Sequence, residues 1–287
     1  MKLEGRRAVI SGGNRGLGLA IAGAFAREGA ELLLGARDLE LTRSVAGRLR
    51  ADFPQCPAAH AEPLDVSSDA SVERLAARAG ELWGGVDILV NNAGVYGPKG
   101  PLAEGSWEEW KQAVDINLFG LARMCRAFLP ALKRGGGGRI INLSGGGATS
   151  PLPNLSSYAA SKAAVVRLSE TLALELKPFG IPVNCVAPGA LNTRLLDEVL
   201  EAGPGKVGEA FYRKSLEQKA KGGTPPELGA SLCLYLAAEA PAGITGRLIS
   251  AVWDPWKDLA ALRAELEGSD IYTLRRITPE DRGKRFP

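Results

Sequence analysis

The sequence has few of the residues on which several common kinds of site depend. It contains one histidine, His60, and four cysteines that lie far apart and form no C-x-x-C pair. A Ser-His-Asp triad would have to use His60, which lies in a proline-rich stretch of sequence, and the cysteine spacing fits neither a metal cluster nor a disulfide framework. We therefore expect no metal site, a histidine at the surface, and cysteines that are small buried residues.

Charge of one sign and long apolar runs are also scarce. Lysine and arginine number 35 against 32 acidic residues, which gives a net charge of +3. So small an excess gives no reason to expect nucleic acid or an anionic membrane as the main partner. No segment approaches the apolar length that spans a bilayer, and the first residues lack the apolar stretch of a signal peptide. The expected location is the cytoplasm.

What the sequence does contain is an alternation of short apolar runs with longer segments of helical periodicity. The runs lie near residues 8–10, 31–34, 59–64, 86–90, 139–143, 183–186 and 247–252. The helical segments include residues 17–28, 39–51, 69–82, 107–133, 158–177 and 228–238. This alternation is typical of a parallel sheet covered on both faces. It predicts an α/β protein, a single-domain doubly wound Rossmann fold with about seven central strands.

No internal repeat or low-complexity linker divides this series. We predict a dinucleotide-binding and catalytic domain over residues 1–255 and a C-terminal extension over residues 256–287. Residues 194–226 combine short amphipathic patterns with glycine hinges, which favours a substrate lid over a plain insertion. The extension either docks on its own or an adjacent subunit or is disordered. Trp253 and Trp256 are expected to cover a neighbouring subunit or close the back of the pocket.

A glycine-rich run, S-G-G-N-R-G-L-G over residues 11–18, follows the first predicted strand. Glycines let the backbone turn sharply and approach a ligand, and the N-terminus of the next helix presents unpaired N–H groups to a pyrophosphate. Between the first strand and the first helix of a doubly wound sheet, such a run indicates a dinucleotide site.

Tyr158 and Lys162 are the most informative pair of side chains. Residues four apart share one face of a helix, so the Lys162 ammonium is expected beside the Tyr158 hydroxyl. A neighbouring cation lowers the pKa of a phenol from its ordinary value near ~10, towards the range useful for proton transfer. Taken alone, the pair is more typical of a solvated helix face than of a catalytic site.

Five further features combine with this pair in order along the chain. They are the glycine run, Asp65-Val66, Asn91-Asn92-Ala93-Gly94, Asn117 and Pro188-Gly189. Together the set resembles the short-chain dehydrogenase/reductase family over about residues 5–252. The resemblance implies a hydride transfer between NADP(H) and a small-molecule carbonyl/alcohol pair, with NAD(H) as the alternative cofactor. It also implies a homodimer or homotetramer.

The resemblance further implies roles for individual residues. The residues expected to contact the cofactor are Gly12, Asn14, Arg15, Gly16, Leu17, Gly18, Arg37, Asp65, Val66, Asn91, Ala93, Gly94, Tyr158, Lys162, Pro188, Gly189 and Thr193. Asp65 would meet the adenine ring and Thr193 the nicotinamide side, although helix capping for Asp65 and turn chemistry for Asn91 are alternatives. Tyr158 would be the general acid and base, with Lys162 lowering its pKa and Asn117 holding a water.

The end of the second strand bears on the choice of cofactor. An acidic residue there would accept hydrogen bonds from the ribose hydroxyls of NAD. The sequence instead has Gly35 where NAD-using members of the family often carry aspartate, with Arg15 and Arg37 nearby to attract a 2′-phosphate. NADP is therefore expected, and Asp38 is the residue that argues against it.

The family usually has a serine thirteen residues before its tyrosine, and here that position is Gly145. Ser144, one place earlier, is a candidate for the role because the glycines after it permit a shifted loop. Thr149, Ser150, a group from the lid or a water are alternative donors. A third alternative is a nucleotide-binding regulator or pseudoenzyme with weak or no turnover.

Overall fold

The computed structural model describes residues 1–241 and 243–284 of the chain. Its centre is a single sheet of parallel strands in the order β3-β2-β1-β4-β5-β6-β7. The strands are β1 (Arg7–Ser11), β2 (Glu31–Ala36), β3 (Ala59–Pro63), β4 (Ile88–Asn91), β5 (Arg139–Leu143), β6 (Val183–Ala187) and β7 (Leu248–Ser250). The predicted doubly wound fold is confirmed, and the strand order reverses between β1 and β4.

The central strands are apolar on both faces because helices cover both. Val9, Leu33 and Leu89 lie side by side in register and belong to the apolar cluster on one face. Their chain neighbours Ile10 and Leu34 belong to the cluster on the other face. Each such side chain is fully buried and contributes about 1.5–3 kcal/mol to stability. The strands therefore read as continuous apolar runs that all end at one polar edge.

The helices cover the two faces and the carboxyl edge of the sheet. They are α1 (Gly16–Arg27), α2 (Leu39–Asp52), α3 (Asp69–Trp83), α4 (Trp107–Val114), α5 (Gly120–Arg134), α6 (Ser156–Glu175), α7 (Arg194–Ala202), α8 (Pro204–Val207), α9 (Glu209–Lys221), α10 (Pro226–Ala238) and α11 (Arg263–Leu266). Asp38, Ser68 and Ser106 cap α2, α3 and α4 by accepting a backbone N–H three residues on. Helix α10 begins two residues before its predicted start because proline is tolerated in a first turn.

The helix predicted over residues 107–133 is interrupted. Residues Asp115–Phe119 form a π-helical segment between α4 and α5. The wider turn places Asn117 inside the protein, where it is almost fully buried. Segments of this kind occur mostly as single-turn bulges inside α-helices, and frequently at functional sites.

The chain after β7 stays on the domain it has just completed. The buried Arg247 donates hydrogen bonds to the carbonyl oxygens of Ser269, at 2.9 Å, and of Leu266. The Leu248 N–H donates to the Tyr272 carbonyl at 2.8 Å. Of the alternatives for the extension, docking on its own subunit is therefore what these residues do.

The two tryptophans after β7 have different surroundings. Trp256 is buried in the chain's own core, with its ring 5.7 Å from that of Tyr235 on α10. Trp256 does not cover a neighbouring subunit, because α10 provides its packing surface. That it closes the back of the pocket stays a prediction. Trp253 is 84% exposed.

In the part of the chain that the structure describes, no helix has both the length and the apolar character to cross a bilayer.

Candidate active site

The glycine loop between β1 and α1 packs directly on the loop after β4. The Ser11 hydroxyl accepts the backbone N–H groups of Asn92 and Ala93 at 3.0 and 3.2 Å, and the Asn92 side chain donates to the Gly12 carbonyl at 3.0 Å. A Cβ on Gly18 would overlap the Gly12 carbonyl oxygen. Glycine is therefore required at position 18 by backbone packing, and the N-terminus of α1 is left open as a cradle for a pyrophosphate.

The polar side chains beside this loop are already engaged. Asn14 is buried and donates to the Thr42 hydroxyl at 3.0 Å. The Asp38 carboxylate accepts the Leu41 N–H at 3.0 Å and lies 3.4 Å from the Arg15 guanidinium. Asn14 and Asp38 therefore fix the loop and the start of α2. Arg37, the remaining predicted cation, is exposed.

The structure corrects the reading of the end of β2. A Cβ on Gly35 would lie 2.7 Å from the Leu64 side chain and 3.2 Å from that of Leu75. Position 35 therefore faces the apolar cluster under α3, where a carboxylate could not meet a ribose. Ala36 is the last strand residue and points to the opposite face, because side chains alternate along a strand. The end of β2 still carries no acidic side chain.

Asp65 and Val66, which are predicted to contact the adenine, follow β3. The Asp65 carboxylate accepts the Ser67 hydroxyl at 2.6 Å, which lowers the pKa of that carboxyl, and the nearby Arg37 and Arg123 charges add to this effect. Val66 packs on Gly120, where a Cβ would lie 2.7 Å from its side chain.

The side chain of Asn91 does not face the cleft. It donates to Asn142 at 2.8 Å in a buried polar chain that continues from Asn142 to the Ser169 hydroxyl. Gly94 does face the site, since a Cβ there would lie 3.1 Å from the Asn117 amide oxygen and 3.6 Å from Lys162 Nζ.

Tyr158, Lys162 and Asn117 come together where β4 and β5 end. Asn117 donates to the Val95 carbonyl at 2.8 Å and to the Ser161 hydroxyl at 3.0 Å. Lys162 Nζ donates to the Leu143 carbonyl at 2.8 Å and lies 5.7 Å from the centroid of the Tyr158 ring. All three side chains of the cluster are over nine-tenths buried.

Burial dominates the electrostatics of this cluster. It raises the pKa of the Tyr158 hydroxyl above its ordinary value of 10.0, and Tyr96 adds to the rise. It lowers the pKa of the Lys162 ammonium from 10.5 to about 8. In this arrangement burial outweighs the Lys162 charge, because removing both groups from water disfavours both charges and the ammonium faces a carbonyl. That Lys162 lowers the pKa of Tyr158 stays a prediction.

The loop after β5 shows why position 145 is a glycine. A Cβ on Gly145 would overlap the Tyr158 hydroxyl oxygen. The space of the usual serine side chain is therefore occupied by Tyr158 itself. The Ser144 hydroxyl is buried and, among the residues that the structure describes, has no hydrogen-bond partner. Thr149 and Ser150 are exposed.

The segment predicted as a lid begins beside the glycine loop. A Cβ on Gly16 would lie 3.5 Å from the Thr193 side chain, so Thr193 and the phosphate loop face each other. Gly189 has a positive φ of 93°, which lets the chain turn after Pro188. The predicted nicotinamide-side residues therefore lie at the same edge as Tyr158.

Lys99 and Glu198 join α7 to the loop after β4, and the sequence had not singled out either residue. Lys99 Nζ lies 3.2 Å from a carboxylate oxygen of Glu198, whose other oxygen lies 3.3 Å from Arg194 Nε. Tyr96, in the same loop, packs edge-on against Tyr158 with 4.6 Å between the ring centroids. The two oppositely charged residues are far apart in sequence, so no local spacing could have indicated their contact.

The arrangement fits a dinucleotide. The glycine loop leads into the N-terminus of α1, and the buried Tyr158 and Lys162 side chains lie at the same sheet edge. No group of three histidine, cysteine or acidic residues suited to a metal ion occurs within residues 1–241 and 243–284. The four cysteines are buried and free.

Comparison with known proteins identifies relatives of this chain. Residues 6–203 match the family described as short chain dehydrogenase. The chain is 34% identical over 274 residues to the short chain dehydrogenase mpl6 of Monascus purpureus, which covers 94% of this chain and 88% of that protein.

Solved structures show the same likeness. The RhlG/NADP active-site complex of Pseudomonas aeruginosa is 32% identical with a TM-score of 0.75, covering 86% of this chain and 95% of that one. A variant of actinorhodin polyketide ketoreductase with NADPH is 31% identical with a TM-score of 0.77, covering 87% of this chain and 96% of that one.

Proposed function

Because the chain belongs to the short-chain dehydrogenase/reductase family, whose members are NAD(P)-dependent oxidoreductases acting on CH–OH donors, we propose that it transfers a hydride between NADP(H) and a small-molecule carbonyl/alcohol pair. The observation that carries this proposal is the buried cluster of Tyr158, Lys162 and Asn117 at the sheet edge that also holds the glycine loop. The types of these three residues, or their spacing in the sequence, would not support the proposal without this arrangement in space.

Tyr158 is the general acid and base of the proposed reaction. When bound, the nicotinamide group supplies or accepts the hydride. In the reducing direction the Tyr158 O–H bond breaks and its proton forms the O–H bond of the product alcohol. The raised pKa of Tyr158 keeps it protonated at neutral pH, which suits the acid role.

Lys162 and Asn117 support this proton transfer. Below about pH 8 Lys162 carries a charge that stabilises the phenolate left on Tyr158. Asn117 joins the Gly94-Val95 backbone to Ser161, the neighbour of Lys162, and so fixes the distance between the two sides of the cleft. The side-chain amide of Asn117 is engaged in these contacts, and the water-holding role that the sequence had implied stays a prediction.

The remaining cofactor residues keep the roles expected from the sequence, with two exceptions. Gly12, Gly16 and Gly18 hold the pyrophosphate, and Thr193 lies on the nicotinamide side. Asn14 and Asn91 act through the packing of the loops, since their side chains are occupied by Thr42 and Asn142.

NADP(H) is proposed over NAD(H) because of the charges at the end of β2. Ala36 offers no carboxylate, Arg37 is exposed, and the Asp38 carboxylate already accepts a backbone N–H and pairs with Arg15. A 2′-phosphate would therefore meet net positive charge. The related structures with NADP and NADPH support this choice.

The cytoplasm is the proposed location, and four free cysteines support a reducing compartment. A homodimer or homotetramer is proposed as the assembly, supported by the exposed Trp107 and Phe119 side chains at the start and end of the α4 and π-helical region. The substrate is a small molecule.

Titration with NADPH and NADH tests the cofactor choice. We expect NADPH to bind about 10-fold more tightly, since a charge-assisted hydrogen bond contributes about 1.5 kcal/mol or more. Arg37→Ala should remove most of this preference, whereas Arg50→Ala, at the exposed far end of α2, should not. Tighter binding of NADH to the wild-type protein would reject the NADP assignment.

Turnover tests the reaction. NADPH oxidation is followed with acetophenone, cyclohexanone, benzaldehyde and a keto-sugar, and Tyr158→Phe should lower the rate by about 10² or more without changing NADPH affinity. A second candidate, a nucleotide-binding regulator with weak or no turnover, is favoured by Gly145 and by the Ser144 hydroxyl, which has no hydrogen-bond partner within residues 1–241 and 243–284. Tight NADPH binding with no Tyr158-dependent turnover would establish that candidate and reject the enzyme.

A further inference from the structure

We propose that the Tyr96 hydroxyl donates the hydrogen bond to the substrate oxygen that a serine would give from position 145. This inference rests on the proposed carbonyl/alcohol function of the same site. It assigns the second oxygen contact to a phenol from the loop after β4, so that the substrate oxygen lies between two tyrosines.

The hydroxyl groups closer in sequence are poorly placed for this contact. Gly145 has no side chain, and the Tyr158 hydroxyl fills the space where one would begin. The Ser144 hydroxyl is closed off from solvent, so a substrate oxygen could reach it only after the loop rearranged. Thr149 and Ser150 are exposed at the surface. A donor must therefore come from another loop.

Tyr96 lies against the reacting group itself. Its ring packs edge-on to the Tyr158 ring, with centroids 4.6 Å apart and planes at 72°. Burial raises the pKa of Tyr158, and Tyr96 adds to this rise. No second side chain of this kind touches Tyr158 among the described aromatic contacts.

Both ends of the Tyr96 backbone are fixed by residues of the acid/base cluster. The preceding residue, Val95, exchanges two hydrogen bonds of 2.8 Å with the Asn117 amide. The Tyr96 carbonyl accepts the hydroxyl of Ser157, the neighbour of Tyr158, at 3.3 Å. A donor held in this way loses little entropy when it binds the substrate, which is what an oxyanion contact requires.

The surroundings of Tyr96 also keep its proton in place. Burial raises the pKa of its hydroxyl, and the negative charge of Glu198 raises it further. Glu198 is held on α7 by Lys99 and Arg194. Tyr96 is therefore a hydrogen-bond donor across the neutral pH range, and the pKa of its hydroxyl depends on Glu198 of α7.

The test is Tyr96→Phe, which keeps the ring and its packing and removes only the hydroxyl. We expect kcat/KM for acetophenone to fall about 10²-fold, as when one oxyanion donor is lost, with NADPH affinity unchanged. The deuterium isotope effect with 4-deuterated NADPH should rise, because hydride transfer becomes rate-limiting. Tyr235→Phe, on α10 against Trp256, is the matched control and should change neither value.

A binding measurement separates this inference from the proposed function. Acetophenone is titrated into the protein with NADP⁺, a pair that cannot react, and Tyr96→Phe should weaken its binding about 5- to 10-fold. If acetophenone binding depends on Tyr96 but turnover does not depend on Tyr158, the inference stands and the proposed reaction fails. If Tyr158-dependent turnover and acetophenone binding both survive in Tyr96→Phe, the inference is overturned. A loss of both in Ser144→Ala instead would assign the contact to Ser144.

Discussion

Two glycine-rich loops lie at the same edge of the sheet, one after β1 and one after β5, and their glycines are present for different reasons. In the first loop a Cβ on Gly18 would overlap backbone, the Gly12 carbonyl. In the second loop a Cβ on Gly145 would overlap the hydroxyl of a side chain, Tyr158. The next residue, Gly146, has no described atom within 4 Å of its Cβ position.

This difference separates the two halves of the site. Backbone cannot move aside without disturbing β1 and α1, so the first loop is bound to one conformation. The Tyr158 hydroxyl is the end of a side chain and can shift. The space that the second loop leaves therefore determines where this hydroxyl lies. Substitutions in the first loop should therefore affect binding and stability, and those in the second should affect the rate.

The largest effect is expected for Gly18→Ala. The added methyl group meets the Gly12 carbonyl, so the loop must open, and we expect NADPH binding to weaken about 100-fold with a loss of about 1–3 kcal/mol in stability. Fluorescence titration and urea unfolding measure the two quantities. Gly146→Ala is the matched control in the second loop. Equal behaviour of the two variants would contradict the comparison.

Lys162→Met should lower the rate of Tyr158-dependent turnover by about 10²-fold or more, because the charge that stabilises the phenolate is lost. Its effect on stability runs in the opposite direction. The pKa of Lys162 falls from 10.5 to about 8 on folding, so below pH 8 the folded protein carries the whole cost of a buried ammonium, on the order of 3 kcal/mol. The loss of the bond to the Leu143 carbonyl offsets about 1 kcal/mol of the gain on substitution.

The pH dependence gives this prediction its sign. Between pH 8 and 10.5 the unfolded wild-type chain binds a proton at Lys162 that the folded chain does not, so wild-type stability rises with pH in that window relative to Lys162→Met. Urea midpoints of both proteins at pH 7, 9 and 10 measure the difference. A constant difference across this range would show that Lys162 keeps its ordinary pKa when buried.

Gly145→Ser restores the residue usual in the family and should nevertheless lower the rate. The new Cβ displaces the Tyr158 hydroxyl, and a displacement of ~1 Å can cost up to about 100-fold in rate. NADPH affinity should be unchanged, since the first loop is untouched. Steady-state kinetics with acetophenone decide the matter, and a faster enzyme would mean that Tyr158 has room to accept a serine beside it.

The smallest effect is expected for Lys99→Met, which removes one of the two cations that hold Glu198 on α7. We expect KM for acetophenone to rise a few-fold, kcat to stay the same and stability to change by less than ~1 kcal/mol, because the pair is partly exposed. Lys221→Met, in an exposed pair on α9, is the control. An unchanged KM would show that the contact between Lys99 and Glu198 does not affect substrate binding.

The fold was predictable because its signals are local. Apolar runs such as residues 31–34 are buried on both faces, so their pattern is continuous, and the helix ends at Asp38 and Ser68 are marked by capping side chains. The four-residue spacing of Tyr158 and Lys162 lies within one helix and was equally readable. The register of Gly35 was not, because which face a strand residue takes depends on its neighbours across the sheet.

The sequence by itself determined the parallel α/β architecture, the glycine loop before α1, and the pair Tyr158 and Lys162, because each depends on spacing within one element or on one element following another. Only the tertiary structure decided that burial raises the pKa of Tyr158, that the Tyr158 hydroxyl fills the space at Gly145, and that Tyr96 lies beside it. Those facts depend on distances between segments far apart in the chain and on the removal of water between them, which no local pattern records.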